Sequence, residues 1–331
     1  MKKIAVVVLN WNGAKLLEQF LPSLIKFSPE AQLYVADNAS TDDSVAWVRT
    51  HFPSVVIIQN SGNCGFARGY NEALQNIEAE FYALVNSDIE VTENWLRPIL
   101  DTFEQEPQVA IIQPKILDFK NKTSFEYAGA AGGFIDQYGY PFCRGRIFET
   151  VEKDNRQYDD NRDVFWASGA CFFIRSDAYK ALQGFDADFF AHQEEIDLCW
   201  RAFNKGYRIK YNSASVVYHV GGATLDHGNP KKTFLNFRNS LIMLTKNLPK
   251  DQFFKVLLIR MILDGVAGIR LLTTGKLDHF IAILKAHFSF YRSFSSHYKK
   301  RELRQSENYF AIDSIVFRYY IKRILFFKDL F

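Results

Sequence analysis

The sequence has few of the features that mark secreted, disulfide-built or membrane-spanning chains. Its 331 residues include only four Cys (Cys64, Cys143, Cys171 and Cys199), and no pair forms a C-x-x-C. Far apart in sequence, they are expected to be reduced cytosolic thiols. No uncharged stretch approaches the ~20 residues that a membrane span needs. Met1-Lys2-Lys3-Ile4 leads into an apolar strand too short for a signal-peptide core and without a small-residue cleavage site. Glycine is scarce where a dinucleotide-binding loop would need it. The first strand–helix turn has Gly13 alone, and Gly62, Gly65 and Gly69 fall in the third turn with the wrong spacing, so an NAD fingerprint is excluded.

Apolar and aromatic residues are plentiful. Hydrophobic residues make up 48% of the chain and aromatics 16%, enough for a large core with rings left over to be covered elsewhere. Charge is unevenly spread. Residues 1–228 hold 21 Lys+Arg against 30 Asp+Glu (−9), and residues 229–331 hold 19 against 7 (+12). An acidic body with a basic, aromatic tail implies two tasks, the second of them against an anionic surface.

Strand and helix signals alternate through the first half. Ile4–Leu9, Gln32–Ala36, Val55–Gln59 and Phe81–Val85 read as buried strands. Helical spacing follows each: Leu16 to Leu24, Val45 to Phe52, Phe66–Ile77 and Trp95–Phe103. Pro22 is expected to kink or shorten the first helix, and Thr41 or Asp42 to cap the second. The pattern predicts an α/β fold with a mostly parallel, doubly wound sheet. Residues 118–163 show no sustained period. Phe165–Arg175, Tyr207–Tyr211 and Ser215–His219 read as strands, Asp177–Leu182 as a short helix, and Glu194–Lys205 as a helix ended by Gly206. The tail from Lys231 is helical. Arg260, Asp264 and Gly268 share one stripe of Phe253–Leu272, and Ser314, Arg318 and Lys322 share one stripe of a helix over Phe310–Phe331. Basic amphipathic helices rich in aromatics suit a membrane surface; packing on each other or on a second subunit is the plain alternative.

Several strands end in small polar residues, and ligands of open α/β sheets bind at such carboxyl edges. Asn10-Trp11-Asn12, Asp37-Asn38 and Asn86-Ser87-Asp88 are therefore expected to meet. Trp11 could face a base, Asp37 could accept from a pyrimidine N–H, and Asp88 could hold a divalent cation against phosphate. Core packing for Trp11 and turn formation for the Asn and Asp residues are the ordinary accounts. Arg68, on the first turn of its helix, could neutralise phosphate. Glu194 and Glu195 begin a helix, where the dipole alone would favour acids; either could also be a general base. His219 ends a strand, and its imidazole could ligate a metal.

Taken together, these residues resemble glycosyltransferase family 2 with the GT-A fold, in its rhamnosyltransferase-like branch of bacterial surface-polysaccharide synthesis. The resemblance rests on Asn10-Trp11-Asn12-Gly13, Asp37 to Asp42, Asn63-x-Gly65-Phe66-Ala67-x-Gly69-x-Asn71, Asn86-Ser87-Asp88, Ser168-Gly169-Ala170, Gly184-Phe185-Asp186, Glu194-Glu195-x-Asp197 and His219. It implies inverting transfer of a sugar from a dTDP- or UDP-sugar to a lipid-linked or oligosaccharide acceptor. It implies Asn10, Trp11, Asp37, Asn38, Gly65, Arg68, Asn71, Asn86 and Ser87 at the nucleotide, and Asp88 and His219 at Mg²⁺ or Mn²⁺. Glu195, with Glu194 as second candidate, would be the base, and Trp166, Ser168, Gly169 and Ala170 would wall the sugar and acceptor site. Two positions depart from the family pattern: Asn86 replaces the first Asp of D-x-D, and Glu195 stands where Asp is usual.

The expected organisation is a GT-A domain over 1–228 (nucleotide half 1–117, acceptor half 118–228) and a basic helical region over 229–331. The chain is expected to be cytoplasmic, peripheral on the inner face of the cell membrane against anionic lipid, with no nucleic-acid partner. A homodimer is compatible with such a tail. Nucleotidyl transfer and a non-catalytic sugar-nucleotide-binding scaffold are the rival functions.

Overall fold

The computed structural model describes residues 2–221, 228–302 and 304–331. The first part of the chain is built as its periodicity predicts. Strands β1 (Ile4–Asn10), β2 (Ala31–Asp37), β3 (Val56–Gln59) and β4 (Phe81–Asn86) alternate with helices α1 (Ala14–Phe27), α2 (Ser44–His51) and α3 (Gly65–Leu74). β1 lies parallel between β2 and β4, with Asn10 level with Asp37 and Leu9 level with Asn86. The β-branched run in β1 is buried on both faces, as expected of a central parallel strand. Pro22 neither shortens nor ends α1, which runs on to Phe27 because Leu17, Phe20, Leu21 and Leu24 keep its inner face buried. Asp42 serves two helix starts, accepting from Ala14 N at 3.0 Å and from Ser44 N at 3.2 Å.

Beyond β4 come β5 (Ile89–Val91), α4 (Arg97–Gln105) and β6 (Val109–Asp118). Residues 118–163, without visible period, contain a second, antiparallel sheet: β7 (Gly133–Ile135), β8 (Pro141–Cys143), β9 (Arg146–Ile147) and β10 (Thr150–Val151). Strands of two or three residues are too short to display alternation. β11 (Asn161–Val164), β12 (Cys171–Arg175), α5 (Ser176–Ala181), α6 (Glu194–Asn204) and β13 (Arg208–His219) complete the body. The main sheet has the order β11-β13-β6-β12-β4-β1-β2-β3, with β5 on β13. β12 runs antiparallel between β4 and β6. The two strands expected at 207–211 and 215–219 are one bulged strand, β13, parallel to β6. Its far end pairs with β5, placing His219 level with Ile89 and so beside Asp88.

Three long helices follow: α7 (Pro230–Asn247), α8 (Phe253–Thr273) and α9 (Leu277–Lys299). Leu241 to Leu244 of α7 join the same core cluster as Tyr70, Phe172 and Trp200, so packing runs unbroken past residue 229. The helix expected over Phe310–Phe331 does not form. That segment carries two short turns, Phe317–Ile321 and Phe327–Asp329, and an extended stretch bridging Ile312 to Asp136. Phe327 packs against Phe134 and Phe142 of the small sheet, with ring centroids 5.3 and 6.1 Å away. Burying those rings outweighs any amphipathic helix this sequence could offer. All four thiols are free.

Candidate active site

The carboxyl ends of β1, β2 and β4 bring the predicted nucleotide residues to one edge, with Asp37 two strands from Asn86, about 10 Å away. Trp11 is half exposed there, so core packing does not account for it. Asp37 is buried and its oxygens are already engaged. They accept from Asn10 Nδ2 at 2.9 Å, Ser40 N at 2.9 Å, Ser40 Oγ at 2.5 Å and Gln59 Nε2 at 2.6 Å. A carboxylate has about four acceptor sites, so a further donor must displace one of these groups. Asn10 Oδ1 is buried without a partner, leaving one acceptor free beside Asp37. Asn38 ties the third turn to this edge, donating to Gly65 O at 3.1 Å and accepting from Asn60 Nδ2 at 2.7 Å. Arg68 is exposed on α3.

The metal candidates come together. His219 Nε2 lies 3.1 Å from Asp88 Oδ1, and His219 Nδ1 lies 3.2 Å from Glu126 Oε1; all three residues are at most 5% exposed. Burial pulls the imidazole pKa down, but the Glu126 and Asp88 carboxylates outweigh it and push it up to about 10. The two side chains share one buried, negatively biased point, which a divalent cation could occupy in place of the imidazolium proton. Glu126 would then orient the ring from behind. The donor set, one carboxylate and one imidazole, therefore fits a hard or borderline cation.

The base candidates sit at the start of α6, reached through an unusual loop. Phe190, His192 and Gln193 all have positive φ, at 63°, 70° and 72°. Non-glycine residues adopt that region only when their surroundings impose it. Here the surroundings are Asn239 of α7, whose amide donates to Phe189 O at 3.0 Å, Ala191 O at 2.9 Å and His192 O at 2.7 Å. From the other side, Phe66 N donates to Phe190 O at 2.7 Å, and Gly65 (φ +80°) lies so close to that carbonyl that any Cβ would collide with it. The loop is thus clamped between α7 and the start of α3. Burial raises the carboxyl pKa of both Glu194 and Glu195, and Glu195 raises that of Glu194 further. Glu195 faces Gly169, where an added Cβ would lie 3.7 Å from the glutamate side chain. Ala170 O in turn accepts from Asn86 N at 2.9 Å, joining the base wall to the metal edge. Asp197, one turn on, is no base candidate: Arg201, Lys246 and Asn247 hold it, each at 2.8 Å.

Four expectations are corrected, among them Ala170, which is 5% exposed and buried. Trp166 is 2% exposed and donates to Phe134 O at 2.8 Å, so it is core beneath the site and not its wall. Ser168 is buried, its N–H donating to Gln113 Oε1 at 2.8 Å and its Oγ accepting from Ala170 N at 3.2 Å. Only Gly169 of that stretch is open to the site. Asn71 staples the two halves, donating to Phe185 O at 2.7 Å and accepting from Phe185 N at 2.9 Å and Tyr179 Oη at 2.6 Å, which leaves its amide committed away from a nucleotide. Glu126 and Asn239 were missed, one in a patternless stretch and the other inside a helix. Asp186, Asp188 and His297 also bring three ligand-type atoms within 4.8 Å of one another. Lys246 and Lys300 already neutralise those carboxylates at 2.7–2.8 Å, so this group clamps α7 and α9 to the loop.

The model of the family "Glycosyl transferase family 2" matches residues 5–183, more than half of the chain. The chain is 24% identical to N-acetylglucosaminyl-diphospho-decaprenol L-rhamnosyltransferase of Mycobacterium tuberculosis, over 67% of this chain and 77% of that protein. It is 21% identical to the low-salt glycan biosynthesis hexosyltransferase Agl10 of Haloferax volcanii, over 83% of this chain and 87% of the relative. Among solved structures, it resembles GalNAc-T7 with UDP, GalNAc and Mn²⁺ (TM-score 0.60, 14% identity), over 90% of this chain and 58% of the other. It also resembles S. aureus TarS 1–349 in complex with UDP-GlcNAc (TM-score 0.58, 16% identity), over 90% and 84%. The match over residues 5–183, with relatives that are glycosyltransferases and structural neighbours sharing its α/β architecture, places the chain in glycosyl transferase family 2, as a glycosyltransferase of GT-A fold.

Proposed function

We propose that this glycosyltransferase moves a sugar, with inversion, from a nucleoside-diphosphate sugar to a hydroxyl of a lipid-linked or oligosaccharide acceptor in surface-glycan synthesis. The observation that carries the reading is the continuous path from the Asp88–His219 pair through Asn86, Ala170 and Gly169 to Glu195. Leaving-group and base functions thus lie on one wall. The mycobacterial relative's name specifies a rhamnosyl transfer to a diphospho-decaprenol-linked sugar, which supports a lipid-linked acceptor.

In the proposed mechanism, Trp11 covers the base of the nucleotide, and Asn10 and Asp37 meet its polar edge, with Gln59 yielding its place on Asp37. Glu195 accepts the proton of the acceptor hydroxyl as that oxygen bonds to the anomeric carbon. The bond from that carbon to the diphosphate oxygen breaks on the opposite face, and the nucleoside diphosphate departs with the electron pair. Mg²⁺ or Mn²⁺, held by Asp88 and His219 when bound, supplies charge stabilisation for the diphosphate. Arg68 adds a mobile positive charge from α3. Burial raises the Glu195 carboxyl to about 7, which suits a base working near neutral pH, and Glu194, the more deeply buried of the pair, packs beside it as the second candidate.

Transfer assays of Glu195→Gln and Asp88→Ala with a donor found by screening nucleotide sugars for thermal stabilisation test this. Each is expected to lose at least about a hundredfold in kcat. Full activity in either removes that residue's role, and absence of donor hydrolysis or transfer with Mn²⁺ would favour the scaffold reading. Family membership leaves nucleotidyl transfer without support. Peripheral attachment at the inner membrane face belongs to the same reading, since a lipid-linked acceptor must be met at the bilayer.

A further inference from the structure

Helix α8 is inside out. Its polar stripe, Arg260 and Asp264, is buried beside Phe253, Val256 and Leu257, while a row of its other apolar residues faces solvent. Arg260 Nε binds Asp264 Oδ1 at 2.9 Å, its Nη1 donates to Tyr138 O and Gly139 O at 3.2 Å, and its guanidinium lies 3.8 Å over the Tyr140 ring. His287 Nε2 of α9 approaches Asp264 Oδ2 at 3.3 Å. This closed network fixes which side of the helix meets the protein. The other side presents Phe254 (74% exposed), Leu258 (56%), Ile262 (58%), Val266 (59%) and Ile269 (61%), one per turn, and Phe288 of α9 adds 65%. Of the 19 large hydrophobic residues exposed among the described residues, 16 lie between 254 and 331, so the apolar surface is concentrated on one region and not scattered. Scattered exposed apolar residues need no explanation; a contiguous patch marks an interface.

Charge identifies what covers it. Lys255, Arg270, Lys276, Lys285 and Arg292 are exposed along the same two helices, with Asp251 and Asp278 the only exposed acids on this stretch. A second copy related by a two-fold axis would set this basic rim against itself. An anionic bilayer surface offers apolar depth for the ridge and phosphate for the rim. No described helix is long and apolar enough to cross a membrane, so the face lies in the interface plane. α8 spans about 30 Å of it.

We infer that the exposed ridge of α8 and α9 is a hydrophobic wedge that seats this enzyme on an anionic bilayer, by inserting apolar side chains as well as by charge. The inference deepens the proposed function by naming the surface on which its lipid-linked acceptor is met, and rests on that reading for its purpose only. The wedge is also mechanically tied to the site. Thr233 Oγ1 of α7 lies 2.7 Å from His279 Nδ1 of α9, and α7 carries the Asn239 clamp on the base loop. Docking therefore holds the base wall in a set attitude to the membrane.

The test is flotation of the full chain with acceptor-free vesicles of phosphatidylcholine, alone or mixed with phosphatidylglycerol. Wild type should float with the mixed vesicles and at least tenfold less with the neutral ones. Ile262→Asp with Val266→Asp should lose at least tenfold in partitioning to mixed vesicles while keeping the wild-type circular dichroism and melting temperature. Val56→Asp, an exposed apolar position away from the tail, should float like wild type. Wild type that stays down with both vesicles overturns the inference, as does a double variant that floats unchanged. A stable dimer in sedimentation, dissolved by the double variant, would assign the ridge to a second copy instead. Because no donor or acceptor is present, flotation without transfer would sink only the enzymatic reading, and transfer without flotation only this one.

Discussion

Replacing Asn239 with Ala removes the amide that holds the base loop. The loop places Phe190, His192 and Gln193 at positive φ just before Glu194, a conformation that costs on the order of 1 kcal/mol or more per residue. Asn239 answers with donations to Phe189 O, Ala191 O and His192 O at 2.7–3.0 Å. Its two amide hydrogens serve three carbonyls, so about two full hydrogen bonds are lost, roughly 2–3 kcal/mol for a buried site. That is within the reserve of a folded domain, so the chain should still fold. The loop, however, no longer gains enough to stay strained, and the start of α6 shifts. A displacement of about 1 Å in a base costs up to about a hundredfold in rate. We therefore expect Asn239→Ala to lower kcat by about 10- to 100-fold while donor affinity, which the proposed mechanism sets at Asn10, Asp37 and Asp88, changes less than about twofold. Asn239→Asp, the same shape without its donors, should be at least as damaging. Steady-state kinetics with separately varied donor and acceptor, alongside urea unfolding, gives the answer. Lower stability with unchanged kcat would show that the loop holds its form without the clamp, and would refute the reasoning.

Other outcomes follow from the same geometry. Gly65→Ala should destabilise by about 2 kcal/mol or more, because φ +80° and the nearby Phe190 carbonyl both refuse a Cβ; an unchanged urea midpoint would contradict the contact. The Glu194 carboxyl has a folded-state pKa raised above its ordinary 4.5, so the stability its neutral form contributes is complete below 4.5 and lost as pH rises through the folded value. Glu194→Gln should accordingly raise the melting temperature at about pH 8 and leave it unchanged at about pH 4, and a rise of the same size at both would show another cause. Glu126→Gln leaves Asp88 and His219 in place but removes the charge behind the ring, and should weaken Mn²⁺ binding by about 10-fold or more in calorimetry with a nucleoside diphosphate; unchanged affinity would reduce Glu126 to a packing residue.

Much of the first part of the chain is legible in its sequence, because its signals are local. A β-branched run that stops at Asn10, Asp37 or Asn86 declares both a buried strand and the edge where it ends. Parallel alternation then forces those ends together, and the observed register sets Asn10 beside Asp37. The helix starting at Glu194 was equally legible, since its acids sit where the dipole favours them. What tertiary structure alone decided is which partner each pattern meets. Periodicity found the stripe of Arg260 and Asp264 on α8, but a stripe does not say which side faces inward; the carbonyls of Tyr138 and Gly139, far off in sequence, settled that by binding the arginine. The same distant packing turned the helical pattern of Phe310–Phe331 into an irregular strap whose rings fill the small sheet. Trp166 and Asn71 carry motif positions yet are consumed by core and staple contacts, while Glu126 and Asn239 carry no pattern and gain their roles from the neighbours the fold gives them. Sequence specified the elements and the edge at which their ends collect, since chain-local hydrophobic and turn preferences suffice for that. Orientation of the tail, the clamp on the base loop and the choice of which polar groups remain free came from long-range burial and hydrogen bonding, which no short window of residues contains.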